Sequence, residues 1–219
     1  MNARQRPLLL GHRGARAVKT IPENTITSFD RCLADGCDGF EFDVRLTADG
    51  RGVVCHDPQF NGVEIARAST AELAGLSCLE DVLERYSERA FLDIELKVGG
   101  LENRVAALLK EHPAKRGFVV SSFLPEVLQA VRKEAGSTPL GLICETQAEL
   151  ARWNELAIEY VIPHRKLVDQ VRIGVWTGAG KKILVWTVNE VAEMRRLAEW
   201  GVDGIISDDA GLLSRTFTS

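Results

Sequence analysis

The sequence predicts an α/β fold, a single (β/α)₈ TIM barrel, on three observations. Eight short apolar runs recur along the chain, helix-like segments separate them, and neither a composition shift nor a Pro/Gly/Ser-rich linker breaks the series. The runs are LLLGH (8–12), GFEFDV (39–44), FLDIEL (91–96), GFVVSS (117–122), LGLIC (140–144), YVIPH (160–164), ILVWTV (183–188) and GIISD (204–208).

Each element has a local reason. The first run leads into NTITSFDRCLADG (24–36), a helix expected to have Asn24 as its N-cap and Gly36 at its end. A ninth run, GVVCH (52–56), follows the second strand after only a few residues around TADGR. Parallel strands need about a dozen or more residues between them, so this short Asp-Gly connection predicts an antiparallel hairpin instead. The fold-back would return His56 to the neighbourhood of Asp43. Residues 57–90 then form a short insertion or lid, running through QFNGVEIARASTAELAGL into a helix at LEDVLERYSE. Further on, LPEVLQAVRKEAG (124–136) carries Pro125 near its first turn and Gly136 at its end, the usual asymmetry of helix ends. An open doubly wound sheet is the competing arrangement, but the chain contains neither GxGxxG after its first strand nor a Walker motif. The expectation is one domain over residues 1–219, at the small end of the roughly 200 to 400 residues usual for the barrel.

Composition excludes some functions. A formal charge of -4 and a pI near 5.7 give no basic footprint for nucleic acid. No apolar run is long enough for stable membrane insertion, and the three leucines near the N-terminus fall short of a signal peptide. The five cysteines, Cys32, Cys37, Cys55, Cys78 and Cys144, are scattered without a CxxC pair and read as reduced packing residues. The expected location is the cytoplasm and the expected partner a small molecule; the oligomeric state is left open.

Barrel enzymes gather their chemistry where the strands end. Here the first run ends in His12-Arg13, the second carries Glu41 and Asp43, the hairpin return ends in His56-Asp57, and the third strand holds Glu95 and Lys97. Residues two apart on a strand share a side, so three carboxylates and one ammonium are aimed into one space. Carboxylates that close raise one another's pKa unless a cation neutralises them, and all-oxygen ligation suits Mg²⁺ or Ca²⁺ rather than zinc. The plainer alternative is that the acids merely pair with Arg45, Lys97 or Arg13. His12 and His56 are candidates for a base and an acid, and Arg13 and Lys97 for phosphate-binding charges. Glu23 is expected to support the helix start rather than to contact Arg13. Trp186 and Asn189 end the seventh strand, and the tryptophan offers an apolar wall for the substrate or simple core packing. His164 is a candidate for the substrate rim, and His112 reads as a loop residue at a helix end.

HRG followed by PENT, then EFDVRLTADG, VVCHD, LDIELK, VVSSF, VWTVN and DGIISD, in this order across nearly the whole chain, resembles the glycerophosphodiester phosphodiesterase family. The resemblance implies a (β/α)₈ barrel with one divalent cation, Mg²⁺ or Ca²⁺, held by Glu41, Asp43 and Glu95. It also implies His12 as base and His56 as acid, and hydrolysis of a glycerophosphodiester to glycerol 3-phosphate and an alcohol. The insertion after the HD pair is shorter than in longer members of that family, which implies a small lid and leaves head-group selectivity open. Two other readings remain: a lysophospholipase D-like activity, which requires an apolar groove around residues 57–80, and an inert phosphoester-binding barrel.

Overall fold

The computed structural model describes residues 6–218. Its strands are β1 (Leu8–His12), β2 (Gly39–Leu46), β3 (Gly52–Val54), β4 (Gln59–Phe60), β5 (Val63–Glu64), β6 (Phe91–Leu96), β7 (Phe118–Ser122), β8 (Leu140–Cys144), β9 (Tyr160–Pro163), β10 (Lys182–Val185) and β11 (Gly204–Ser207). Helices α1 (Ile26–Ala34), α2 (Leu79–Tyr86), α3 (Glu102–Glu111), α4 (Pro125–Glu134), α5 (Gln147–Leu150), α6 (Gln170–Gly178), α7 (Val191–Trp200) and α8 (Ala210–Phe217) lie between and after them. The parallel sheet runs β1, β11, β10, β9, β8, β7, β6, β2 and closes through a second pairing of β1 with β2. The barrel is therefore the expected one, and the open sheet is excluded.

Side-chain alternation along the strands separates two apolar layers. On β2, Phe40, Phe42 and Val44 pack outward against the helices, where the Phe29 and Phe40 rings stack with centroids 4.1 Å apart. That leaves Glu41 and Asp43 on the inner side. The same rule on β6 sends Leu92, Ile94 and Leu96 outward, and Asp93 and Glu95 inward. A smaller set, Leu10, Val119, Tyr160, Ile162, Leu184 and Ile206, fills the barrel interior.

β3 lies antiparallel to β2, with Val44 opposite Val54 and Leu46 opposite Gly52, as the TADG turn requires. The 57–90 segment contains a two-residue hairpin of β4 and β5 that the sequence did not reveal, then two 3₁₀ turns, before α2. Val53, Ile65, Ala68 and Leu73 form its own small core. The five cysteines are free thiols, and Cys32, Cys37 and Cys144 are buried.

Three local readings change. Thr25, not Asn24, caps α1, its hydroxyl accepting from the Ser28 amide, because Asn24 adopts a left-handed φ of 57° and turns its side chain inward. The seventh barrel strand stops at Val185, so Trp186 and Asn189 lie beyond it. The stretch after β8 forms only one α-helical turn, α5, and a 3₁₀ turn over Ala151–Asn154.

Gly39 shows how tightly β2 and β6 approach: a Cβ at this position would lie 1.9 Å from the backbone oxygen of Phe91. Backbone cannot yield as a flexible side chain does. Gly39→Ala is expected to cost about 3 kcal/mol of stability, measured as a lower urea midpoint at unchanged m-value.

Candidate active site

β1 ends in a turn whose backbone is unusual. Arg13 has φ 53° and Gly14 φ 83°, and a Cβ on Gly14 would meet Ser28 Oγ at 2.4 Å. A non-glycine residue in the left-handed region costs energy and persists only where its surroundings hold it. Here the Arg13 amide donates to Glu41 Oε2 at 3.0 Å, and the Arg13 carbonyl accepts from the amide of Asn24 at 3.1 Å. The two left-handed residues thus clasp each other, and both address Asp43. Asn24 Nδ2 donates to Asp43 Oδ2 at 2.7 Å, and Arg13 Nε lies 3.2 Å from the same oxygen.

Glu41, Asp43 and Glu95 meet as expected. Each offers an oxygen, and these lie within 4.8 Å of one another. All three are buried, and Glu41 Oε1 has no hydrogen-bond partner among the described residues. Lys97 Nζ sits 2.6 Å from Glu95 Oε1 and 3.1 Å from Asp43 Oδ1. Burial, then the charges of Asp43 and Glu95, hold Glu41 well above the usual carboxylate range. Glu95 is pushed up to about 7 by burial and by Asp43, against the pull of Lys97. Burial acts on Asp43 too, but Lys97, Arg13 and the Asn24 hydrogen bond outweigh it and keep Asp43 ionised. Pairing with Lys97 and Arg13 is therefore real. Arg45 takes no part, since its Nε donates to the His56 carbonyl at 2.8 Å. Three carboxylates against two cations, one of them shared with Glu23, leave room for a further positive charge. A small, all-oxygen donor set with an orphaned buried oxygen fits a hard divalent cation.

Both histidines carry a carboxylate on the same ring nitrogen. His12 Nδ1 is 2.7 Å from Asp208 Oδ1, and His56 Nδ1 is 2.7 Å from Asp57 Oδ1. Against its own burial, hydrogen bonds from His12 and Asn189 hold Asp208 far below the usual range, so it is ionised and can only accept. The His12 proton therefore resides on Nδ1, which leaves Nε2, 3.9 Å from Glu41 Oε2, as the free nitrogen. Burial also lowers the His12 pKa, only partly offset by Asp208, so its neutral form is favoured.

Two residues went unseen in the sequence. Asp208, which ends GIISD, is held by Asn189 Nδ2 at 2.8 Å and Arg16 Nη1 at 3.0 Å. Its signal was its position just past the end of β11, the neighbour of β1 at closure. Asp93 lies two residues before Glu95 on the same inner side, fully buried, with Ser121 Oγ donating to Oδ1 at 2.5 Å. Burial raises it to about 7, against that hydrogen bond. The alternation that found Glu95 and Lys97 applied equally to Asp93.

Glu23 corrects the expectation of helix support: it accepts from Arg13 Nη1 and Arg16 Nε, each at 2.6 Å, and lies outside α1. His164 packs edge-on against the Trp186 ring at 5.2 Å, and His112 closes the end of α3.

The histidines, Arg13, Glu41, Glu95 and Lys97 line one half of a cavity of about 270 Å³ at the C-terminal ends of the strands. Phe123, Ile143, Ile162, Trp186 and Ile206 line the other half. The Trp186 indole N–H donates to the Ile162 carbonyl at 3.0 Å, so the ring presents only carbon. Beside His56, a groove of about 320 Å³ runs between residues 22–25 and the insertion, where Phe60 and Leu76 alternate with Gln59 and Asn61. A larger cavity, about 610 Å³, lies at the opposite end of the barrel, with one acid, Asp203, and no histidine among its described lining residues. No helix of the described residues is long and apolar enough to cross a membrane.

Comparison with known proteins agrees with this arrangement. Residues 12–98 and 81–212 match the profile of the Glycerophosphoryl diester phosphodiesterase family. A glycerophosphodiester phosphodiesterase of Caldanaerobacter subterraneus subsp. tengcongensis is 32% identical, over 92% of this chain and 94% of its own length. Another from Bacillus subtilis is 27% identical, over 93% and 84%. Among solved structures, a glycerophosphodiester phosphodiesterase of Agrobacterium tumefaciens superposes with TM-score 0.84 at 26% identity, covering 97% of this chain and all of its own. A phosphodiesterase of Oleispira antarctica, in complex with the product sn-glycerol-3-phosphate, gives TM-score 0.84 at 24% identity, covering 98% of each chain.

Proposed function

The chain belongs to the Glycerophosphoryl diester phosphodiesterase family, and from that premise we propose that it hydrolyses glycerophosphodiesters to glycerol 3-phosphate and an alcohol by two-histidine acid/base catalysis beside a divalent-cation site. The observation that carries this reading is the pairing of two imidazoles, each with a carboxylate on Nδ1, beside three buried carboxylates.

His12 Nε2, neutral and buried, takes the proton of the glycerol hydroxyl next to the phosphate-bearing carbon. That oxygen forms a bond to phosphorus, the bond from phosphorus to the alcohol oxygen breaks, and His56 gives the leaving oxygen its proton. A cyclic phosphate results, which water opens with the two roles reversed. Arg13 and Lys97 stabilise the charge gathering on the phosphoryl oxygens. Trp186 supplies the apolar wall against the glycerol carbons. Glu41, Asp43 and Glu95 would hold the cation, Mg²⁺ or Ca²⁺, which when bound supplies Lewis-acid polarisation of the phosphoryl group and the attacking hydroxyl. The purified chain should release glycerol 3-phosphate and choline from glycerophosphocholine, assayed by coupled oxidation of each; absence of both products would refute the reading.

Asp208 acts through His12 as a positioning residue. In Asp208→Asn the carboxamide can present its N–H₂ to Nδ1 and favour the wrong tautomer. We expect kcat to fall about tenfold or more with KM little changed, and Asp208→Glu to recover part of the loss. Equal kcat in Asp208→Asn and the unmodified chain would remove this role.

A further inference from the structure

The apolar half of the cavity contains one charged rim group, Glu145, just past the end of β8. Its backbone amide donates to Glu149, but no hydrogen bond or ion pair engages its carboxylate among the described residues. Of the other acids around the cavity, Asp43 and Glu95 face Lys97, Asp208 holds His12, Asp57 holds His56 and Glu23 faces Arg13, while Glu41 and Asp93 each keep one unpartnered oxygen on the polar side, among or beside the candidate cation ligands. In this half the Trp186 N–H is already donated to a carbonyl, and Phe123, Ile143, Ile162 and Ile206 offer only carbon. Polar recognition here therefore falls to this exposed carboxylate, which acts on His164 through its charge alone and is an acceptor with no donor capacity.

Resting on the phosphodiesterase reading, the chemistry of the substrate gives this acceptor a partner. Attack by the hydroxyl adjacent to the phosphate-bearing carbon uses the central oxygen of glycerol and leaves the far primary hydroxyl unreacted. We infer that Glu145 accepts a hydrogen bond from that free primary hydroxyl and so selects glycerophosphodiesters against lysophospholipids. In a 1-acyl lysophospholipid the same oxygen is an ester, which has no hydrogen to give and sets its carbonyl against a carboxylate. Glu145 is exposed, so water can replace the lost hydroxyl and the discrimination is modest, the size of one hydrogen bond to a charged group together with the carbonyl's repulsion from the carboxylate.

The test compares the unmodified chain with Glu145→Leu and Glu145→Gln on three substrates: glycerophosphoglycerol, glycerophosphocholine and 1-acyl-glycerophosphocholine. In Glu145→Leu, kcat/KM on both glycerophosphodiesters should fall about tenfold, while kcat/KM on the acylated substrate stays level or rises. Glu145→Gln, which keeps an acceptor oxygen, should fall less. An equal fall on all three substrates, or no change on any, would overturn the assignment. A fall confined to glycerophosphocholine would also overturn it, since Glu145 would then be reading the ammonium of the leaving alcohol. If the unmodified chain releases glycerol 3-phosphate from none of the three, the phosphodiesterase reading fails and this inference with it; release with an unaltered selectivity ratio in Glu145→Leu removes Glu145 alone.

Discussion

Replacing His12 with alanine is expected to lower turnover of glycerophosphocholine by about 10²- to 10⁴-fold, the range lost when a positioned proton-transfer group is removed. Asp208 sets the state of the ring. Because that carboxylate is ionised and can only accept, it places the imidazole proton on Nδ1, and burial favours the neutral ring, so Nε2 is a ready base. The substitution should leave the fold intact. Asp208 retains Arg16 and Asn189 as partners, and the ring sits at the cavity rather than in either apolar layer. Steady-state kinetics with a thermal melt as control checks both halves of the expectation. Turnover within threefold of the unmodified chain would show that another group removes the proton.

Chelation is the second large effect. EDTA should abolish release of glycerol 3-phosphate, and Mg²⁺ or Ca²⁺ in excess should restore it. Three buried carboxylates whose oxygens lie within 4.8 Å repel one another, and Lys97 and Arg13 neutralise only part of that charge. The high pKa of Glu41 and the value of about 7 for Glu95 describe the protein without a cation. A divalent ion would displace those protons and release them on binding. Proton release on adding Mg²⁺ or Ca²⁺ to the chelated protein, measured by calorimetry in buffers of different ionisation enthalpy, reads this without turnover. Undiminished activity in EDTA would contradict the cation's role.

The barrel was legible because its determinants are local. Apolar runs marked the strands, the TADG connection was too short for anything but a hairpin, and alternation on GFEFDV and FLDIEL put acids inside and carbon outside. The same rule brought Glu41, Asp43, Glu95 and Lys97 together. Where the expectation failed, the deciding partner was distant in the chain. Asn24 looked like a helix cap because Asn is a good one, yet its amide goes to Asp43 and Thr25 takes the cap. Glu23 would suit the positive end of a helix, but two guanidinium groups seven and ten residues before it in the chain hold it more strongly than a dipole does. Asp208 became visible only when closure laid β11 beside β1. Residues 57–78 carry weak periodicity, so their hairpin and 3₁₀ turns depend on packing against Val53 rather than on local preference.

The measurement that bears most directly on the whole account is phosphorus NMR of glycerophosphocholine incubated with the purified protein and Mg²⁺ or Ca²⁺. The account predicts that the diester resonance is replaced by that of glycerol 3-phosphate, with choline appearing in equal amount and a cyclic phosphate signal passing through transiently or on slowing the second step. Phosphocholine in place of glycerol 3-phosphate, or an unchanged diester resonance, would contradict it.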